Sequence, residues 1–323
     1  MVIGNYMNNL VTDIKSLELE TIKNLKQSKA LNTLRAYQSD YKDFAAFCIK
    51  NGFKSLPTDP KIIALYLTHL SSECKFSTLK RRLASISVVH KLKGHYIDTK
   101  HPLIIENLLG IKRTKGINQK AKKPILINDL KLIIKAIDEE KIKTKSFVES
   151  KVKAIWKLRD KALILVGFAG GFRRSELVNI DYEDIEFVNE GVKILIRRSK
   201  TDQSGEGIIK AIPYFDNKEF CPVKALKEFI EFKFAKTNKG KIFEISDKSV
   251  ALIIKKYTQK AGLDSSKYAG HSLRSGFATS AAEFGAEERN IMAMTGHKTT
   301  QMVRRYIQEA NLFKNNALNK IKF

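Results

Sequence analysis

The chain is poor in the residues that crosslink or ligate. Its 323 residues hold three cysteines, Cys48, Cys74 and Cys221, odd in number and far apart. They form no CxxC pair and no mixed Cys/His set, which excludes a disulfide framework and a zinc site. Acidic residues are scattered, with no DxD or DDE-like group in an apolar context, so two-metal chemistry has no ligand set. No GxxxxGK[ST] stretch offers a nucleotide cradle. The expectation is a protein without metal or cofactor. Long apolar runs are also missing: the longest, Ala162 to Phe172, is too short to span a bilayer. The N-terminus has no basic patch followed by an apolar core, so it reads as no secretory signal. A cytoplasmic protein with reduced thiols and no membrane partner is expected.

Negative charge is the other shortage. There are 59 Lys and Arg against 34 Asp and Glu, a formal net charge of +25. Such an excess repels itself in a compact fold unless a polyanion offsets it. Nucleic acid is the natural polyanion, because neutralising phosphates releases counterions and drives binding. A solvated, Lys-rich surface is the plainer alternative.

The length suits two domains, each with its own core. Residues 1–109 read as a helical bundle. In "TLRAYQSDYKDFAAFC", Leu34, Tyr37, Tyr41, Phe44 and Cys48 step by three and four along one helix face. "TDPKIIALYLTHLSSE" opens with a Thr or Asp cap. "STLKRRLASISVVHKLKG" carries Leu79, Leu83, Ile86, Val89 and Leu92 on one side, and Lys80, Arg81 and Arg82 elsewhere. Residues 110–123, "GIKRTKGINQKAKK", hold six basic residues and no acid. They read as a linker, either solvated or lying along a phosphate backbone through Lys112, Arg113, Lys115, Lys120, Lys122 and Lys123. Residues 124–323 start with the helix "INDLKLIIKAID" and a longer one from about Val152 to Phe168. "DIEFV", "VKILIRRS" and "GIIKAIPYF" alternate like three antiparallel strands, and helical patterns resume from Pro222. The fold class is mainly α with a small antiparallel β-sheet in an α+β second domain.

Arg173 in "GFRRSEL", Lys200 in "RRSKTDQSGEG", His271 and Arg274 in "GHSLRSGF", His297 in "TGHKT" and Tyr306 in "VRRYI" are individually weak signals. Together they supply what breaking a phosphodiester without a metal requires. Two guanidinium forks can neutralise the phosphate, an ammonium and imidazoles can move protons, and a phenol can attack phosphorus. An HxxR pair followed 23 residues later by His297, with Tyr306 nine residues on, is much less easily matched by chance than either motif alone.

This order and spacing resemble the tyrosine recombinase, or phage-integrase-type, family, over nearly the whole chain. The resemblance selects Arg173 over Arg174 as the first catalytic arginine, since the family places it two residues before Ser-Glu. It implies that Glu176 orients the basic side chains, although a helix-start acid favoured by the macrodipole explains Glu176 equally well. It implies that Lys200 donates a proton to the departing 5′ oxygen, that His297 bonds the phosphate or packs the site, and that Tyr306 attacks to form a 3′-phosphotyrosine. The two domains would clamp double-stranded DNA, and a homo-tetramer would exchange strands between two sites. The tail, Asn311 to Phe323, would dock on a neighbouring protomer or pack on its own domain. A type IB topoisomerase and a non-catalytic DNA-binding regulator remain as alternatives. Synapsis of two sites separates the first from a recombinase, and a covalent adduct separates the second.

Overall fold

The apolar stripe ending in Phe44 and Cys48 lies along α1 (Leu31–Lys50), where both side chains are fully buried. The computed structural model describes residues 14, 16–21, 23–24, 30–116, 121–142, 146–199, 202, 205–233, 239–311 and 317–321. The chain divides into two units, Met1–Lys120 and Ala121–Phe323.

In the first unit, α1 is followed by α2 (Pro60–Leu70), α3 (Phe76–Leu92) and α4 (Pro102–Lys115). The start of α2 is set by sequence: Asp59 accepts from the Lys61 N–H, and Pro60 occupies a position whose N–H would have no helical partner. Phe44, Tyr66, Leu67, Leu79, Ile86 and Ile104 form one core.

Three expectations for this unit change. Residues 110–115 are helix, not linker. Ile111 continues the buried stripe of Ile104 and Leu108, and Gly116 ends α4 at a φ of 69°. Lys112, Arg113 and Lys115 then sit in the last turn, where cations suit the helix dipole. Arg82 turns inward, its guanidinium meeting Asp43 and the Tyr66 hydroxyl, with Nε 3.9 Å from Asp40. Arg81 bonds Asp40 at 2.5 Å. These arginines tie α3 to α1 and α2. Leu92, expected in the stripe, is exposed at the end of α3.

The second unit opens with α5 (Ile127–Asp138) and α6 (Phe147–Ala169). The latter starts several residues earlier than the sequence suggested. From Ala162 to Ala169 it is buried on every side, as befits a helix surrounded by others. The short α7 (Arg174–Leu177) follows, then β1 (Ile185–Val188), β2 (Gly191–Ile196) and β3 (Ile208–Pro213). All are antiparallel, in the order β1-β2-β3. Gly191 is required there, because a Cβ would lie 2.0 Å from the Ile212 carbonyl oxygen. The unit is completed by α8 (Pro222–Lys233), packed on α6, and by α9 (Asp247–Lys260), α10 (Ser272–Glu283), α11 (Glu288–Thr295) and α12 (Thr300–Asn311). At Gly276 the backbone of α10 presses on Ile125, whose carbonyl oxygen lies 2.0 Å from where a Cβ would be. Among the described residues, no helix is long and apolar enough to cross a membrane, and no group of potential ligands could hold a metal ion.

Candidate active site

Two glycines break α6 from α7 and bring the chain round to Arg173. Gly171 takes a φ of 55°, open to glycine at little cost. Arg173 is then the residue before α7. Its backbone N–H donates to Glu176 at 2.9 Å, and its guanidinium donates to the other Glu176 oxygen at 2.6 Å and to the Gly296 carbonyl at 3.1 Å. Gly296 ends α11 in the left-handed conformation. Arg173 thus joins the start of α7 to the turn that carries His297. Arg174 points elsewhere: it lies 3.9 Å from Asp247, its side chain packed over Gly270.

Arg274 is 1% exposed. The sequence suggested the edge of α10, but the structure puts it on the buried side, where its Nη1 donates to the Gly171 carbonyl at 2.9 Å. Its Nε and Nη2 are buried without a hydrogen-bond partner. Burial, then the neighbouring Arg173, lower its pKa to about 10, while Glu176 and Tyr306 act in the opposite sense. Buried guanidinium donors left unmatched carry a desolvation cost that an entering anion would remove.

His271 immediately precedes α10, and its Nε2 lies 3.4 Å from the Tyr306 hydroxyl, which projects from α12. That is a loose contact, of the kind that tightens when substrate arrives. His271 is exposed at the surface of the fold, yet desolvation by the surrounding site, then Arg274, Arg173 and Arg174, hold its imidazole below its ordinary pKa. His297 is buried, its ring centroid 6.1 Å from that of Tyr306. Its Nδ1 is 2.8 Å from the Thr295 hydroxyl, which itself donates to the Ile291 carbonyl at 2.5 Å. With that proton spent, the neutral ring donates through Nδ1 and keeps the Nε2 lone pair available. Burial, then the cations Arg274 and Arg173, push His297 down to about 4.

Lys200 lies outside the described residues, as does Lys120. The hairpin between β2 and β3 is shaped by Asp202, whose carboxylate accepts from the N–H groups of Gly205, Glu206 and Gly207. The site therefore gathers Arg173, Glu176, His271, Arg274, His297 and Tyr306 from α7, α10, α11, α12 and the turns between them.

One residue beside them escaped the sequence reading. Lys210 on β3 is 4% exposed; its Nζ donates to the Gly170 carbonyl at 2.7 Å and lies 3.9 Å from Glu176. It also sits 4.3 Å from the centre of the Phe172 ring. A signal was present: Lys210 and Ile212 alternate onto the same inward face of β3.

The other basic positions divide. Lys80, Lys112 and Lys115, with Lys75, line a cleft of about 480 Å³ in the first unit, next to the start of α3. Arg113 is exposed nearby on α4. In the second unit, Lys122 donates to the Ser266 carbonyl at 2.6 Å, and Lys123 pairs with Asp129 at 3.1 Å. Their charges are partly engaged by their own domain.

Comparison with known proteins identifies the family. Residues 128–312 match the Phage integrase family. An integrase/recombinase xerD homolog from Selenomonas ruminantium is 42% identical, over 97% of this chain and 92% of that protein. Tyrosine recombinase XerA of Pyrococcus horikoshii is 25% identical, over 81% of this chain and 87% of its own length. Among solved structures, XerH recombinase bound to difH substrate before cleavage aligns with a TM-score of 0.58 at 15% identity, covering 94% of this chain and 85% of that one. A lambda integrase dimer on a COC′ core site gives 0.58 at 17% identity, covering 98% and 84%. The structural likenesses speak for the fold, while the family match and the 42% relative speak for descent. The chain belongs to the phage integrase family and is a site-specific tyrosine recombinase, an enzyme that cleaves and rejoins DNA.

Proposed function

We propose that Tyr306 attacks a phosphate of duplex DNA held between Arg173 and Arg274, forming a 3′-phosphotyrosine and releasing a 5′-hydroxyl. A hydroxyl from a partner strand then attacks the phosphotyrosine, so one phosphoester is exchanged for another and no energy source is consumed. The observation that carries this reading is Arg274, a buried cation with two donor nitrogens unmatched by protein. A non-bridging phosphate oxygen answers both the charge and the hydrogen-bonding need. His271, held neutral and 3.4 Å from the Tyr306 hydroxyl, is suited to accept the phenolic proton as attack begins.

Lys200 is the general acid for the leaving 5′ oxygen. A bridging 5′ sulfur departs without a proton, so Lys200→Ala should be slow on the oxygen substrate and nearly normal on the sulfur one. If sulfur rescues His271→Ala and not Lys200→Ala, the two roles are exchanged. The site assignment as a whole is tested by Tyr306→Phe, which should bind DNA while forming no denaturation-resistant adduct. An adduct with the Phe variant would remove Tyr306 from the role.

The working unit is a homo-tetramer on two DNA sites. The tail segment 311–323 lies mostly outside the described residues, though Leu318 and Ile321 are exposed. An apolar cleft of about 610 Å³, lined by Phe168, Ile212, Phe215, Phe277, Ala281 and Phe284, is the acceptor for the tail of a second copy. Phe284, expected to pack α10 down, is instead 78% exposed at its rim. Deleting the tail should spare half-site binding and weaken synapsis. Undiminished synapsis would leave the tail on its own domain.

A further inference from the structure

Behind the cations that face the phosphate lies one more buried cation, Lys210. Lys210 is the lone charged side chain on the inward face of β3, among residues that otherwise pack as core. Its β2 partner in the sheet register is Ile194, which is fully buried. Burying an ammonium is costly unless its partners are well placed, so its partners indicate what it is for. The Gly170 carbonyl accepts from Lys210, and the next carbonyl, Gly171, accepts from Arg274. Two cations from two different elements therefore hold two successive carbonyls of the turn that delivers Arg173. Glu176, 3.9 Å from the Lys210 Nζ, is also the carboxylate that grips the Arg173 guanidinium and backbone N–H.

We infer that Lys210 is a positioning residue of the cleavage site: it ties β3 to the Gly170 carbonyl and to Glu176, and so holds Arg173 in the geometry that grips phosphate. This inference rests on the assignment of Arg173 and Arg274 as the phosphate clamp. A structural lysine would need no such link, since Met fills nearly the same volume without the desolvation cost. Lys210 instead directs its charge at the turn that presents the clamp.

The charge balance around it adds a second property. Glu176 on α7 faces Lys210 and favours its proton; Arg173, before α7, and Arg274 on α10 oppose it. His297 lies in the same field. Burial first, then the two arginines, lower the ammonium to about 7. A phosphate between the arginines adds negative charge to the pocket and favours the protonated form. The lysine is then most firmly charged when DNA is seated, which is when Arg173 must be held still.

The test compares Lys210→Met, Glu176→Gln, the double variant and wild type. The probe is a nicked duplex carrying the DNA recovered from the wild-type adduct, with half-site affinity, melting temperature and adduct formation at saturating duplex all measured. Lys210→Met should form adduct at least about tenfold more slowly, with affinity within about twofold of wild type and no lower melting temperature. In the Glu176→Gln background it should cost little more, because the two act on one arginine. Wild-type cleavage by Lys210→Met, or losses that multiply in the double variant, would overturn the inference. NMR of 13Cε-lysine in the Tyr306→Phe protein decides the matter even if Lys210→Met folds poorly. The Lys210 signal, identified by its loss in Lys210→Arg, should titrate near neutral pH and move upward by about one unit or more with duplex. A titration unmoved by DNA would equally overturn it. Loss of adduct in wild type, or its survival in Tyr306→Phe, would instead count against the clamp reading itself.

Discussion

Arginines meet carboxylates in both units, and the company they keep differs. In the first unit Arg81 and Arg82 meet Asp40, Asp43 and the Tyr66 hydroxyl, so cations and carboxylates balance. In the second, Arg173, Arg274 and Lys210 share one carboxylate, Glu176, with two imidazoles held neutral beside them. The first arrangement is balanced in charge as folded, although the Arg82 Nε has no hydrogen-bond partner. The second is short of negative charge and of acceptors, and a phosphate supplies both. An arginine paired with a carboxylate therefore does not by itself mark a site; the imbalance around it does.

The sharpest break in that comparison is the sign of the stability change when each arginine is removed. Arg274→Met should slow adduct formation by about 3–4 kcal/mol in the barrier, roughly a hundredfold or more. Its melting temperature should stay at or above wild type, because an unmatched buried cation is gone. Arg82→Met leaves Asp43 and the Tyr66 hydroxyl without their shared cation, while Asp40 keeps Arg81, and should lose about 1–2 kcal/mol of stability. Thermal melting of both variants beside the cleavage assay checks the pair, and a large loss of stability in Arg274→Met would undo the contrast.

A narrower version concerns adjacent residues. Arg173→Ala removes the fork that reaches Glu176 and Gly296 and should cost on the order of 3 kcal/mol in cleavage. Arg174→Ala, which gives up a 3.9 Å approach to Asp247, packing over Gly270 and a weak effect on His271, should cost under about 1 kcal/mol. Equal losses in adduct rate would mean that the wrong arginine has been chosen.

Acid and alkali probe the same imbalance. His297 is pushed down to about 4 in the folded protein, from an ordinary 6.5. Between those values the unfolded chain binds the extra proton, so stability should fall as pH drops from 6.5 toward 4. Lys210, lowered to about 7, has the same sign in a higher window: stability should rise as pH climbs from 7 toward 10.5. Denaturant midpoints measured across pH should show both trends. Lys210→Met should flatten only the alkaline one.

The smallest effects belong to the exposed lysines. Replacing Lys80, Lys112 or Lys115 with Gln should reduce the salt dependence of DNA binding, by up to about 0.9 in the log–log slope for each phosphate no longer neutralised. Lys122→Gln and Lys123→Gln should change it less, since those side chains are engaged at Ser266 and Asp129. Filter binding across a salt series checks the ranking. A steeper effect at Lys123 would put that residue on the DNA.

Much of this was legible in the chain. Alternation located the three strands, because one face of the sheet is buried and side-chain direction has a period of two. The i and i+3 spacing placed His271 and Arg274 together. What periodicity could not show was depth. Arg274 was expected at a helix edge and is among the most buried side chains, since the stripe of Leu273 and Phe277 says nothing of what covers the neighbouring face. Arg82 looked like a surface cation because its partners, Asp40 and Asp43, belong to a different helix, far back in the sequence. Lys112 to Lys115 looked like linker because their charge hid the apolar step from Leu108 to Ile111. Lys210 lay open to inference, as a charged residue at an inward strand position; reading "IIKAIP" only as strand propensity passed over it.

Gly276 carries a consequence for how this enzyme can vary. The helix bearing Arg274 lies against the Ile125 carbonyl with room for a hydrogen atom and nothing larger. A methyl group there would lift α10, and with it the arginine two residues away, without changing the identity of any DNA-facing side chain. Alanine is the mildest exchange at most helical positions. Here it would act as a lesion of catalysis. A screen for inactive variants should therefore return Gly276 beside the residues of the site, although it touches no substrate. The range of sequences able to hold this clamp is limited by clearance behind it as much as by chemistry in front.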